Sequence, residues 1–210
     1  MLFIIIIITC IISIKGLKDL TFFNKYKFQI QSINKGEKYR MWSSAFLHAD
    51  YSHLFFNLFT LWVFSGAILM ELGGVYYLII YLLSLYFGNL FTLRQHKNEV
   101  FYSAVGASGA VTGIVYSSIL LFPEMKLALI FFPIPLPSYV FGLCYILYSI
   151  YAMKKNSGNI GHSAHLGGAI AGMVITILIQ PSILINQTWL VFLLLTPFVI
   201  LYYDKKNRLF

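Results

Sequence analysis

The sequence predicts an all-α protein that crosses a membrane several times. Of its 210 residues, 59% are hydrophobic and only 10% are charged, and the mean hydropathy is +0.78. A soluble globular protein needs more polar surface than so few charged side chains provide. The apolar residues also form separate runs, bounded by charges, prolines and paired glycines, as in polytopic membrane proteins. We therefore expect a single transmembrane domain over residues 1–210.

Seven apolar runs predict seven helices. The first, residues 2–14, resembles a signal-peptide core, but no basic residue precedes it and no small-residue cleavage site follows it, so we expect it to remain as a helix. Several runs are shorter than the roughly 20 residues of a usual span, which indicates a thinned bilayer or helices that begin below the membrane surface. The prolines in 131–137 should make that segment extended. The other helices should cover about residues 53–70, 72–93, 107–122, 137–153, 164–180 and 189–203.

Basic residues account for a formal net charge of +8. In the longest polar segment, residues 15–46, lysines alternate with phenylalanines and tyrosines. This pattern is typical of a loop that lies in the membrane interface and contacts lipid headgroups. We therefore expect membrane lipids, and no nucleic acid, as partners of these charges.

One serine stands at the predicted start of the fourth helix, in Gly106-Ala107-Ser108-Gly109. The first N–H groups of a helix have no intrahelical partner, and in a membrane each of them requires a polar one. The oxyanion of a tetrahedral intermediate would be such a partner. Gly106 and Gly109 would leave room for a substrate carbonyl, so Ser108 is a candidate nucleophile. The alternative is a serine cap beside glycines that serve helix packing.

A histidine opens the sixth predicted helix, in Ala164-His165-Leu166-Gly167-Gly168. Burying a charged histidine in an apolar helix is costly, so His165 should be neutral, with one ring nitrogen free to accept a proton. Gly168 and Gly172 share its helical face, and such small residues allow a close approach to the serine helix. We predict that His165 is the base for Ser108. The alternative is a histidine satisfied by a backbone carbonyl.

The second predicted helix carries His53 and Asn57 on one face, four residues apart. We predict that both side chains donate to an oxyanion hole whose backbone donor is the Ser108 N–H. His48 should lie nearer the surface and hold the loop. Alternatively, Asn57 only links helices by hydrogen bonds.

Five histidines raise the question of a metal site. There is no His-Glu-x-x-His motif, and none of the seven acidic residues lies in an apolar run near the histidines. Asp50 is better explained as a charge complement at a helix start. We expect no metal and no other cofactor, and a Ser-His dyad instead of a triad.

The three motifs, in the order His48-x4-His53-x3-Asn57, the Ser108 motif and the His165 motif, resemble those of the rhomboid intramembrane serine proteases. The resemblance implies a six-helix core over about residues 1–182 and one additional C-terminal helix over about 189–203. It implies cleavage of transmembrane segments of membrane-protein substrates near the membrane surface. Tyr39-Arg40 is similar to an aromatic-arginine pair of the family's first loop. The expected location is the bacterial cell membrane.

One position departs from the family pattern. Many rhomboids carry an aromatic residue four positions after the serine, where it stacks on the imidazole, whereas this chain has Thr112. Thr112 could hydrogen-bond to the ring instead, or Tyr116 could fill the space one turn further on.

Two further questions stay open at the level of sequence. A non-catalytic rhomboid-like binder or chaperone of client helices is the alternative function, although such a relative should lack Ser108 or His165.

The resemblance implies that substrates enter sideways past the fifth helix, which carries Tyr139, Phe141, Tyr145 and Tyr148.

The side of the membrane is also open. Segments 15–46, 94–105, 154–163 and 204–210 should share the catalytic side, and they hold every basic residue except Lys126. This bias favours a cytoplasmic catalytic face. The resemblance to bacterial rhomboids favours the opposite face, and headgroup binding would explain the charge equally well.

Overall fold

The computed structural model describes residues 1–129, 132–155 and 161–207. The remaining residues, 130–131, 156–160 and 208–210, include part of the predicted extended segment and parts of two predicted basic segments, and they lie outside the described residues. In chain order the helices are α1 (Leu2–Lys18), α2 (Leu20–Tyr26), α3 (Ile30–Asn34), α4 (Arg40–Ser43), α5 (Tyr51–Glu71), α6 (Gly73–Gln95), α7 (Ser108–Leu121), α8 (Ser138–Lys154), α9 (His162–Ile179), α10 (Ile183–Asn186) and α11 (Thr188–Asn207).

The long helices correspond to the seven apolar runs of the sequence, with ends that differ by a few residues. Among the described residues, α5, α6 and α9 are long and apolar enough to cross a membrane, and α7 and α11 contain shorter apolar stretches. Asp50 is the N-cap of α5, where its carboxylate accepts the backbone N–H of His53 at 2.7 Å. Gly73 has a φ of +81°, which lets the chain turn sharply from α5 into α6.

Two small antiparallel sheets accompany the helices. β1 (Phe28–Gln29) pairs with β2 (Ser103–Ala104), directly before the serine motif. β3 (Lys126–Leu129) pairs with β4 (Phe132–Pro137), so the proline-rich segment is extended as expected, and it leads into α8. The strand pairing itself did not follow from the sequence.

The polar segment 15–46 is more structured than the predicted loop. It contains α2, α3 and α4 and has its own apolar core, formed by Phe28, Ile30, Ile33 and Met41. Arg40 is only 6% exposed and donates to the carbonyls of Asn24, at 2.8 Å, and Lys27, at 2.9 Å. It also pairs with Glu37 at 2.6 Å, and this contact lowers the pKa of that carboxyl. Arg40 therefore holds the segment together.

α7 is the central helix of the bundle. α5, α6 and α9 surround it, and its side chains are buried from Gly109 to Leu120. Its 14 residues span only about 21 Å, less than the roughly 30 Å of a bilayer core. Because protein surrounds α7, its length requires no thinned bilayer, and the helix can begin below the membrane surface.

Glycines bring α7 and α9 into backbone contact. A Cβ on Gly168 would clash with the carbonyl of Gly109, and a Cβ on Gly172 would clash with the carbonyl of Gly113. One turn further on, the Ser117 hydroxyl donates to the Gly172 carbonyl at 3.2 Å. The separation of the two helices is therefore fixed by backbone atoms, as in other small-residue helix pairs.

Candidate active site

The three sequence motifs meet at one end of the bundle, where α5, α7, α8 and α9 enclose a cavity of about 160 Å³. Ser108, His165 and Asn57 all line it, although they are far apart in the sequence. The other lining residues are mostly apolar: Phe56, Thr60, Val111, Thr112, Val115, Phe141 and Tyr145.

Ser108 is the first residue of α7 and is half-buried. As the first helical residue, it has a backbone N–H without an intrahelical partner. Within the described part of the chain, no hydrogen bond joins the Ser108 hydroxyl to His165, and the buried Nε2 of His165 has no partner. The dyad hydrogen bond expected from the sequence is thus not formed, and such bonds between catalytic groups often tighten only in the complex with substrate. Both groups nevertheless face the same cavity.

His165 is held by a residue that the sequence did not suggest for this role. The hydroxyl of Tyr145, on α8, lies 2.8 Å from Nδ1 of His165, and the two rings stack with centroids 5.9 Å apart and an interplanar angle of 27°. The sequence placed Tyr145 among the aromatics of the fifth helix. It gave no sign that this side chain reaches the histidine.

Neither Thr112, four residues after Ser108, nor Tyr116 contacts the imidazole of His165 in the way that the sequence suggested. Thr112 does not hydrogen-bond to the imidazole, because its hydroxyl donates to the carbonyl of Ser108 at 2.7 Å. Tyr116 is fully buried and donates to the carbonyl of Gly142 at 2.6 Å, so it does not fill the space beside the ring. Tyr145 from α8 takes that place instead.

Asn57 and His53 lie on the other side of Ser108. The Asn57 amide donates one hydrogen bond to the carbonyl of His53 at 3.0 Å, which leaves its second N–H for the cavity. The ring of His53 packs against Gly106, where a Cβ would lie 2.8 Å from Nε2. Only glycine suits this position, because its φ is +122°. His53 therefore contacts the backbone two residues before Ser108.

The tautomer of His53 follows from its neighbours. Its Nδ1 accepts the backbone N–H of Ala49 at 3.5 Å, so in the neutral ring Nε2 carries the proton. The N–H of Nε2 then points to the segment that precedes Ser108.

His48 lies just before α5 and is completely buried by the surrounding protein. Its Nε2 accepts the backbone N–H of Ala107 at 3.4 Å, and its Nδ1 donates to the hydroxyl of Ser13 on α1 at 3.0 Å. Burial lowers the pKa of His48 from 6.5 to about 3, so the ring is neutral at physiological pH. His48 thus links α1 to the residue before the serine. Ser13, inside an apolar run, escaped notice in the sequence.

His162 is the histidine on α9 that could bind a metal together with His165. Its ring lies 5.8 Å from the ring of His165, nearly perpendicular to it. Across the residues that the structure describes, no three His, Cys, Asp or Glu side chains are grouped so that they could hold a metal ion.

Curated proteins from several eukaryotes are similar to this chain. It is 31% identical over 134 residues to Rhomboid protein 1, mitochondrial, of Saccharomyces cerevisiae, which covers 62% of this chain and 39% of the yeast protein. It is 30% identical over 166 residues to RHOMBOID-like protein 12, mitochondrial, of Arabidopsis thaliana, which covers 72% and 49% of the two chains. The human presenilin-associated rhomboid-like protein, mitochondrial, is 32% identical over 136 residues, covering 62% and 35%.

The chain therefore spans less than half the length of these relatives. Their names place them in mitochondria, at odds with the bacterial cell membrane expected from the sequence. The model of the Rhomboid domain matches residues 35–182, well over half of the chain and all three motifs. The chain belongs to the rhomboid family.

Proposed function

We propose that this protein is an intramembrane serine endopeptidase that cleaves transmembrane segments of membrane proteins with a Ser108–His165 dyad. The observation that supports this most strongly is the cavity that Ser108 and His165 share with Asn57, beside an unpartnered Nε2 of His165. A buried imidazole nitrogen without a partner reduces the stability of the fold. A catalytic role would explain why such a nitrogen is kept.

In the proposed reaction, the Ser108 hydroxyl attacks the substrate carbonyl and Nε2 of His165 accepts its proton. The N–H of Ser108, the free N–H of Asn57 and the N–H of His53 Nε2 stabilise the oxyanion. His165 then gives the proton to the leaving amine. Water, deprotonated by His165, hydrolyses the acyl-serine ester and restores the hydroxyl.

The proposed architecture has six membrane-spanning helices, α1 and α5 to α9, with α11 as the additional seventh. Substrates would enter between α5 and α8, because these two helices contribute the cavity's aromatic rim. Phe56 on α5 is 59% exposed, and both it and Phe141 on α8 line the cavity. A substrate helix must unwind locally there, since an intact helix hides its carbonyls from a nucleophile.

The polar segment 15–46 is proposed to contact membrane lipids. Leu20 is 74% exposed, and Nζ of Lys15 lies 4.5 Å from the ring centroid of Phe22. Exposed apolar side chains beside lysines suit the interface between headgroups and acyl chains.

The deciding experiment treats the purified full-length protein with a fluorophosphonate probe and with a membrane-embedded substrate. Labelling and cleavage are both expected for the wild type and neither for Ser108→Ala or His165→Ala, while all three proteins retain the same thermal stability. Inhibition by a chelator but not by the probe would contradict the serine mechanism. A wild type that binds client helices but neither reacts nor cleaves would be the non-catalytic binder instead.

A further inference from the structure

We propose that Tyr145 is the positioning residue of the catalytic base: its hydroxyl accepts the Nδ1 proton of His165 and so keeps Nε2 free for Ser108. This role rests on the proposed proteolytic function. The geometry behind it is the 2.8 Å contact between the Tyr145 hydroxyl and Nδ1, together with the stacked rings and the unpartnered Nε2.

The direction of the hydrogen bond decides whether His165 can act as a base. A neutral imidazole carries one proton, so Nε2 can accept the serine proton only when Nδ1 is protonated. Nδ1 then donates to Tyr145, whose oxygen accepts. If Tyr145 donated to Nδ1 instead, Nε2 would carry the proton and could not deprotonate Ser108.

An accepting tyrosine must send its own proton elsewhere, and Thr112, which lines the same cavity, is the acceptor that this proposal requires. The hydroxyls of Thr112 and Ser149 lie near the Tyr145 hydroxyl, although among the described residues neither forms a hydrogen bond with it. Thr112 already donates its own proton to the Ser108 carbonyl at 2.7 Å, so its oxygen keeps lone pairs to accept one. With that link, the chain would run from Nδ1 of His165 through Tyr145 and Thr112 to the backbone of the nucleophile.

This chain replaces the carboxylate of a triad with neutral hydroxyls. In a triad, the carboxylate fixes the tautomer of the histidine and orients its ring. Here stacking orients the ring and the hydroxyl selects the tautomer, without a buried charge. It also explains how a threonine can stand four residues after the serine, since its partner is the tyrosine and not the imidazole.

Substitution of Tyr145 by phenylalanine tests the proposal, because it removes the hydroxyl and keeps the ring. In full-length Tyr145→Phe we expect kcat to fall about 3- to 10-fold, the effect of one net hydrogen bond, with KM unchanged. Tyr151→Phe, on the same helix but exposed, is the matched control and should behave as wild type. An unchanged kcat in Tyr145→Phe, with wild-type cleavage intact, would overturn this proposal and leave the proteolytic function standing.

A spectroscopic measurement reads the tautomer without relying on activity. In ¹⁵N-histidine-labelled protein in lipid, the His165 signals are those lost in His165→Gln. We expect a protonated Nδ1 in the wild type and a shift of the proton to Nε2 in Tyr145→Phe. A wild type with the proton on Nε2 refutes the proposal, whether or not the protein cleaves.

The double variant tests the chain of hydroxyls. Because Tyr145 and Thr112 act in series, Tyr145→Phe combined with Thr112→Val should lower kcat by less than the product of the two single effects. Multiplicative losses would show that the two hydroxyls act independently. A loss in Ser149→Ala as large as that in Tyr145→Phe would assign the acceptor to Ser149 and not to Thr112.

Discussion

The contact between α7 and α9 makes Gly168→Ala an informative perturbation. A Cβ on Gly168 would lie 2.8 Å from the carbonyl carbon of Gly109 and still closer to its oxygen, whereas ordinary contacts of a Cβ begin at 3.4 Å. Both neighbours are backbone atoms, so no side chain can rotate away. The helices must therefore separate by about 1 Å at a point one turn from His165.

Moving α7 and α9 apart also increases the distance between the Ser108 hydroxyl and Nε2 of His165. Because Ser108 begins α7 and His165 lies in the first turn of α9, a shift of about 1 Å moves Ser108 away from Nε2 by a similar amount. Misplacement on this scale lowers rates about 100-fold. Overpacking should also reduce the free energy of unfolding by about 1–3 kcal/mol.

The measurement is the second-order rate of fluorophosphonate labelling, together with the thermal midpoint in the same detergent. Gly66→Ala is the control, since a Cβ there has no atom within 4 Å. We expect about 100-fold slower labelling for Gly168→Ala and wild-type labelling for Gly66→Ala. Labelling of Gly168→Ala within twofold of wild type would refute the idea that the glycine contact sets the geometry of the dyad.

Three other predictions concern the oxyanion donors, the buried histidine and the route of the substrate. Asn57→Ala should lower kcat about 10- to 1000-fold with little change in KM, and His53→Ala should act similarly; a matching loss of thermal stability would point to a structural role instead. Because the folded-state pKa of His48, about 3, lies below its ordinary value of 6.5, the unfolded chain binds the proton first as the pH falls. Stability should therefore be full above pH 6.5 and fall towards pH 3, by at most about 1.4 kcal/mol per pH unit, and melting curves of His48→Gln should show a shallower dependence. A disulfide between cysteines at Phe56 and Phe141 should block cleavage of a membrane-embedded substrate and be relieved by reductant; undiminished cleavage in the oxidised protein would place the route elsewhere.

Features carried by short, local patterns could be predicted from the sequence. The helix ends follow from prolines, glycines and charges, and the position of Ser108 at the start of α7 follows from the glycines around it. The meeting of α7 and α9 could also be anticipated, because Gly109, Gly168 and Gly172 have the spacing of a close helix pair.

Features that depend on how one helix is rotated against another could not be predicted. Tyr145 reaches His165 only because α8 presents that face to α9, and the sequence does not distinguish it from the other four aromatic residues of α8. His48 is buried because α1 passes beside it with Ser13, a pairing between residues 35 positions apart. β1 meets β2 across an even longer separation, and two-residue strands leave no periodic signal.

Because α7 is short, the peptide and the water of the proposed hydrolysis would reach Ser108 from different surroundings. α7 is about 21 Å long and is enclosed by longer helices, so its first residue lies at the bottom of a depression in the bundle. If the other end of α7 reaches the opposite edge of a bilayer core of about 30 Å, Ser108 lies roughly 9 Å below the headgroups. The peptide would come from the hydrocarbon phase and the water from above. The folded segment around Arg40 packs its own core against α6 at this end of the bundle, so it borders the side from which that water would come.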